Sequence, residues 1–202
     1  MLFKIWGHLF FFLIGITIRI TGKEKISKNT KCVVVANHHS FLDTPMIYAA
    51  LPFFVRPLAR SDYGKIPLFG YIYRIAAIPV NRDSISSKKE SFQKMLSAIR
   101  EDGTNIFIFP EGSFNETDSI LKPFFDGAFR IAKASGQPIV PVLFPDTIKR
   151  WHYSSFWSWR PGISRAYILD PIPAEVVARL EIKQLKELVY REMEMHLIHI
   201  DT

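Results

Sequence analysis

The chain of 202 residues has a single cysteine, Cys32. That excludes an internal disulfide and any zinc site built from cysteines, and it permits a reducing, cytoplasmic setting. No apolar run is long enough to span a bilayer. The longest uncharged stretch, Ile5–Ile18, falls short of the roughly 18 to 20 residues that a spanning helix needs. No small-residue cleavage site follows it, which argues against a secretory signal peptide. The G-x-S-x-G turn that exposes a hydrolase serine is missing, as are repeats, low-complexity tracts and any interdomain linker. Acidic residues are in deficit, with 19 Asp and Glu against 26 Lys and Arg, a net charge of +7. Such a surplus suits nucleic acid or an anionic membrane surface. No nucleic-acid-binding motif accompanies it, so the membrane surface is the expected partner and nucleic acid is not.

Apolar residues are abundant: 48% of the chain is hydrophobic and 14% aromatic, with 17 Phe. That is enough for one complete core, with apolar surface left over for something other than water. Five aromatics fall in the first twelve residues. Met1–Ile20 therefore reads as a helix lying in the membrane interface, with Lys4 and Arg19 at headgroup level and Trp6 as its anchor. The alternative is a helix packed on the protein's own core. Residues 1–22 are expected to form this membrane-associating helix and residues 23–202 a single α/β domain. The location expected is the cytoplasmic face of the cell membrane, peripheral or monotopic.

Downstream, strand and helix patterns alternate. Val33–Val35 reads as a buried strand, and Phe41–Leu51 carries apolar residues at helical spacing. Phe53–Ala59 and Ala76–Val80 read as strands, and Ser84–Glu101 as an amphipathic helix with Phe92, Met95, Leu96 and Ile99 on its buried stripe. Asn105–Phe109 is apolar on both faces, as a central strand should be. A helix over Phe124–Ala134 ends at Gly136. Ile139–Phe144 is another strand, which Pro141 would confine to an edge or a bulge. Trp151–Gly162 is an aromatic, basic loop suited to a membrane, an acyl chain or a packed hairpin. Ala166–Leu169 is the last strand, and Pro173–Ile198 one long capping helix. The order implies an α/β fold, a mixed, largely parallel central sheet flanked by helices.

Three polar clusters each follow a strand: Asn37–Asp43, Asn81–Asp83 and Pro110–Ser113. In open α/β sheets, strand carboxyl ends are where ligands bind, so the clusters should converge on one edge. His38 and Asp43 lie five apart and meet only if His38 is in the turn and Asp43 in the following helix. An aspartate on one imidazole nitrogen fixes the tautomer and raises the basicity of the other, giving a general base for a hydroxyl. His39 should point elsewhere. Ser40 could be a nucleophile but suits a helix cap better. Metal binding by His38, His39 and Asp43 is possible but lacks a clear further ligand. Cys32, inside a strand, is expected to be inert. Glu111, after a buried strand, could orient a hydroxyl or a cation, with Gly112 admitting close backbone approach. Arg82 could hold an anionic headgroup.

Asn37-His38-His39-Ser40-Phe41-Leu42-Asp43 resembles the NHxSxxD (HX4D) block of the glycerolipid acyltransferases. Phe109-Pro110-Glu111-Gly112-Ser113 resembles that family's FPEGT block. Ile78–Arg82 is similar to its intervening block, and Ile139-Val140-Pro141-Val142 to its IVPV block. The four occur in order over Lys31–Phe144, and the bacterial 1-acylglycerol-3-phosphate acyltransferase (PlsC-like) group matches best. The resemblance implies transfer of an acyl group from acyl-CoA or acyl carrier protein, as co-substrate, to a lysophospholipid hydroxyl, without an acyl-enzyme, so that no metal and no cofactor are expected. His38 would be the base, oriented by Asp43 and supported by Asn37 and Ser40. Arg82, Glu111, Gly112 and Ser113 would bind the acceptor. The family usually has arginine after the residue matched by Ser113, where this chain has Phe114. Arg82, Lys122 or another cation must then hold a phosphate, or the acceptor is a different lipid, such as a lyso-ornithine or lyso-glycine type. A hydrolase built on Ser40 and a non-catalytic lipid-binding protein are the rival readings.

Overall fold

In the computed structural model, which describes residues 2–60, 77–80 and 85–201, the opening apolar segment is two elements. Helix α1 (Leu2–Leu13) stops, Gly15 takes φ 67°, and strand β1 (Ile16–Thr21) begins. The helix expected through Ile20 is therefore cut short. Ile16, Ile18 and Ile20 alternate with Thr17, Arg19 and Thr21, a period of two in β-branched residues that a strand accommodates better than a helix.

The chain continues through β2 (Val33–Ala36), α2 (Asp43–Ala50), β3 (Val55–Arg60) and β4 (Ile78–Val80). Then come α3 (Ile85–Arg100), β5 (Asn105–Ile108), α4 (Gly127–Ser135) and β6 (Ile139–Leu143). A single-turn helix α5 (Thr147–Arg150), β7 (Gly162–Ile168), α6 (Ala174–Arg179) and α7 (Ile182–Asp201) complete it. Among the described residues the sheet has seven strands, in the order β1-β7-β6-β2-β5-β3-β4. The five from β6 to β4 are mutually parallel. β7 runs antiparallel to β6, and β1 runs parallel to β7. This is the expected mixed, largely parallel sheet.

Every residue of β2, β5 and β6 is buried, because helices cover both faces. Val34, Ala36 and Phe107 face the core shared with α1 and α2. Val33, Val35, Ile106 and Ile108 face the core shared with α3, α4, α6 and α7, where Met95 and Ile99 are buried and Phe92 and Leu96 partly so. α1 packs close on α2: a side-chain carbon at Gly7 would lie 3.1 Å from the Ala49 nitrogen and 3.3 Å from the Pro45 carbonyl.

Two expectations are corrected. β6 is an interior strand, although it contains Pro141. In a strand the nitrogen and carbonyl of one residue face the same neighbour, here β7, where the Pro141 carbonyl accepts from the Leu169 N–H at 3.0 Å. β6 and β7 pair only from Val142 onward, so the proline costs the β2–β6 ladder no donor. The long C-terminal helix is two helices, broken at Leu180. The Lys133 ammonium caps the carbonyls of Ala178 and Leu180, at 2.9 and 2.6 Å, and the Gln184 side chain accepts from the Glu181 N–H. The break is thus supplied by a lysine 45 residues upstream, which no local helix-breaker announces.

Candidate active site

The turn after β2 is built around one carboxylate oxygen. Asp43, at the start of α2, is fully buried. Its Oδ2 accepts from the His39 N–H at 2.7 Å and the Ser40 N–H at 2.8 Å, and lies 2.9 Å from His38 Nδ1. A carboxylate in that position selects the tautomer with the proton on Nδ1. Nε2 then keeps its lone pair, and it makes no hydrogen bond among the described residues. The His38 side chain is 17% exposed. Its ring lies flat on Phe109, with centroids 3.6 Å apart and planes 7° apart.

Asn37 ties this turn to the sheet. It donates to the Phe144 carbonyl at 3.2 Å and accepts from the Phe144 N–H at 2.8 Å, joining the ends of β2 and β6. Ser40 accepts from the Leu42 N–H at 3.1 Å, which makes an ST turn ahead of α2 and not the helix cap expected, since Leu42 holds the N-cap position, and it donates its hydroxyl to the Trp151 carbonyl. With that proton committed to a carbonyl and the side chain fully buried, Ser40 is not positioned as a nucleophile. His39 is held by its backbone, and burial lowers its imidazole pKa. Burial pushes the Cys32 thiol up to about 12, so it stays protonated and unreactive.

The end of the neighbouring strand β5 supplies the second carboxylate. Glu111 is 1% exposed. Its Oε1 accepts from the His38 N–H at 2.8 Å and its Oε2 from the Lys122 N–H at 2.9 Å. The Asn115 N–H closes the junction on the His38 carbonyl at 2.7 Å. Burial raises the Glu111 carboxyl to about 7, against the pull of those two N–H groups and the Lys122 charge. Gly112 turns the chain at φ 78°, in the left-handed region that glycine adopts without strain. The Lys122 ammonium lies 2.7 Å from the Ser113 hydroxyl and 3.3 Å from the Phe114 carbonyl. Two of the three predicted clusters therefore meet, and His38 and Glu111 are joined through the His38 backbone. The third cluster, with Arg82, lies outside the described residues.

Phe114 also packs on His38, ring centroids 4.3 Å apart, and against Phe41 and Tyr153. Phe41 in turn meets Trp151. Sequence reasoning did not place Phe109, Asn115 or Trp151 beside His38. Phe109 stood inside a recognised block, and its place beside a strand-end histidine could have been read; Asn115 and Trp151 reach the site only through tertiary contacts.

The acyltransferase family model matches residues 17–145, a span that contains both turns. The 1-acyl-sn-glycerol-3-phosphate acyltransferase of Cocos nucifera is 28% identical over 192 residues, covering 95% of this chain and 61% of that protein. The Homo sapiens enzyme designated beta is 25% identical over 199 residues, covering 95% and 68%. The Haemophilus influenzae enzyme is 24% identical over 201 residues, covering 97% and 80%. The chain thus spans about three fifths of the length of the plant relative. The crystal structure of the 1-acyl-sn-glycerophosphate acyltransferase PlsC from Thermotoga maritima is similar with a TM-score of 0.84 at 21% identity, over 99% of this chain and 78% of that one. At that identity the likeness establishes the fold.

Proposed function

We propose, from the premise that this chain belongs to the acyltransferase family, that it is a membrane-associated O-acyltransferase. It moves a fatty acyl group from acyl-CoA or acyl carrier protein to the free hydroxyl of a lysophospholipid, with 1-acylglycerol-3-phosphate as acceptor and phosphatidic acid as product. The observation that carries the reading is His38 Nδ1 2.9 Å from the buried Asp43 Oδ2. Nε2 takes the proton of the acceptor hydroxyl as its oxygen attacks the thioester carbonyl, and Asp43 stabilises the imidazolium. The carbon–sulfur bond breaks and the thiolate recovers the proton from His38, so the protein ends unchanged. Glu111, Gly112 and Ser113 form the acceptor's side of the site. The Lys122 ammonium, held by two neutral oxygens, and Arg82 are the cations assigned to its phosphate.

Membrane association rests on α1. One of its faces packs on α2, and the other exposes Leu2, Ile5, Leu9, Phe12 and Leu13. Among the described residues no helix is long and apolar enough to cross a membrane, so α1 lies in the interface, at the cytoplasmic face of the cell membrane. One observation favours a second acceptor. Phe114, not a cation, packs on His38, which suits a lyso-ornithine or lyso-glycine lipid better than a phosphomonoester.

The test is acyl transfer by His38→Ala across a panel of lysophosphatidic acid, lyso-ornithine and lyso-glycine lipids, with each donor type. A loss of about 10²- to 10⁴-fold with unchanged circular dichroism is expected. Turnover near the unsubstituted level would refute the mechanism, and the preferred acceptor decides between the two lipid classes.

A further inference from the structure

The loop between α5 and β7 has a rigid base and a bare apolar tip. At its base the Arg160 N–H donates to the Arg150 carbonyl at 2.7 Å, and the Arg150 guanidinium donates to the Pro161 carbonyl at 3.0 Å. Within it, Ser155 accepts from the Trp157 N–H, and the Ser158 hydroxyl donates to the carbonyls of His152 and Ser155. The tip, Phe156–Ser158, is a single 3₁₀ turn. Trp157 is 88% exposed, Phe156 65% and Trp159 42%. A loop ordered by this many hydrogen bonds that still leaves a tryptophan bare has spent its internal contacts on presenting that side chain, not on hiding it.

Its surroundings fix the partner's chemistry. From Thr147 to Leu169 the chain carries Lys149, Arg150, Arg160 and Arg165 and no carboxylate. Arg165 is paired with Asp146, and Arg160 stands exposed beside the tip. An amphipathic aromatic next to an exposed guanidinium is the composition of a headgroup-level anchor. The loop is also continuous with the apolar end of α1. The Gly162 N–H donates to the Gly15 carbonyl at 3.1 Å, and a side-chain carbon at Gly15 would lie 3.3 Å from Pro161. Phe12 and Leu13, both exposed, are the residues just before that junction.

The loop's root reaches the site. Ring contacts run from His38 to Phe114, Phe41, Trp151, Phe156 and Trp157, each pair within 6.1 Å. We propose that Trp151–Pro161 is a second bilayer-binding arm: Phe156, Trp157 and Trp159 enter the headgroup–acyl boundary of an anionic bilayer, Arg160 lies among its headgroups, and the arm sets His38 at the bilayer surface. The arm adds a contact to that assigned to α1 and does not depend on the acyl-transfer chemistry.

The test uses the full chain with phosphatidylglycerol and phosphatidylcholine vesicles. The contribution of Trp157 to the fluorescence is isolated by subtracting the spectrum of Trp157→Phe. On phosphatidylglycerol vesicles it should shift to the blue and be quenched by lipids brominated near the carbonyl end of the acyl chain. Phe156→Ser with Trp157→Ser should weaken partitioning at least tenfold, an order-of-magnitude expectation from the apolar area lost. Arg160→Gln should weaken it about fivefold on phosphatidylglycerol and not on phosphatidylcholine. Trp157 emission that stays at its aqueous position while the protein sediments with vesicles overturns the proposal. So does a blue shift that grows with protein concentration without vesicles, which would make the tip a contact between copies. Acyl transfer to a short-chain acceptor below its micellar concentration, measured in parallel, separates the two readings. Its absence would count against the acyltransferase mechanism and leave the arm untouched.

Discussion

The two buried carboxylates anchor the site from adjacent parallel strands over very different lengths of chain. Asp43 gathers a ring nitrogen and two backbone N–H groups, all within five residues. Glu111 takes one N–H from 73 residues upstream and one from 11 downstream. The first is a local turn that orients the His38 imidazole once α2 begins. The second is a clamp that cannot form until β2 and β5 lie side by side, so its loop-closure cost is met by the sheet. Asp43 thus aims the imidazole, and Glu111 sets where the aimed imidazole sits.

The comparison breaks most sharply at Asp43→Asn. The amide fills the same volume and its oxygen still accepts from His39 and Ser40, but the charge proposed to stabilise the imidazolium is gone. Acyl transfer should fall on the order of a hundredfold or more, nearly all in kcat, with KM for the acceptor close to unchanged. A loss confined to KM would mean that Asp43 places the substrate, as proposed for Glu111.

What was legible in the sequence follows the same division. The His38–Asp43 pair could be read because five residues of turn and helix contain all of its geometry. The parallel sheet and the buried strands were likewise written in local patterns. Glu111 could be named as out of place after an apolar strand, but its partners could not, since neither lies near it in the chain. The end of α1 at Leu13 was present as the alternation of ITIRIT, yet the aromatic run before it dominated the pattern. Pro141 looked like an edge signal because a sequence does not show which neighbour a missing N–H would have faced. The break at Leu180 is held by Lys133 from far upstream, and its one local mark is Gln184, three residues after the Glu181 N–H it caps.

Glu111→Gln sharpens the contrast. Both carboxylate oxygens accept an N–H, and an amide can match only one, so about tenfold is expected in kcat/KM, mainly through KM. The pH dependence of stability is the cleaner readout. The folded-state carboxyl sits at about 7, raised by burial from 4.5. Protonated Glu111 therefore favours the folded state, and that contribution is complete below about 4.5 and lost as pH rises through about 7. The loss amounts to something on the order of 3 kcal/mol. Between pH 5 and 8, chemical denaturation should show the unsubstituted protein losing stability relative to Glu111→Gln. Parallel curves would mean that Glu111 is ionised throughout and that its two N–H donors outweigh its burial.

The smallest effect is expected at Phe114, which belongs to the Glu111 turn by sequence and to the Asp43 turn by contact. Its ring lies 4.3 Å from that of His38, while its carbonyl is held at 3.3 Å by the Lys122 ammonium. If the Glu111 turn places the acceptor, Phe114→Arg puts a bidentate cation where the phosphate of lysophosphatidic acid would lie, beside the single ammonium already there. KM for that acceptor should then fall a few-fold while KM for lyso-ornithine lipid rises, with kcat little altered, because Asp43 still aims the base. If Phe114 serves instead to hold the imidazole flat against Phe109, the arginine removes a ring contact worth about 0.5–1.5 kcal/mol. In that case kcat falls about two- to tenfold for every acceptor alike. A change in the ratio of the two KM values assigns Phe114 to substrate placement, and a uniform fall in kcat assigns it to the base.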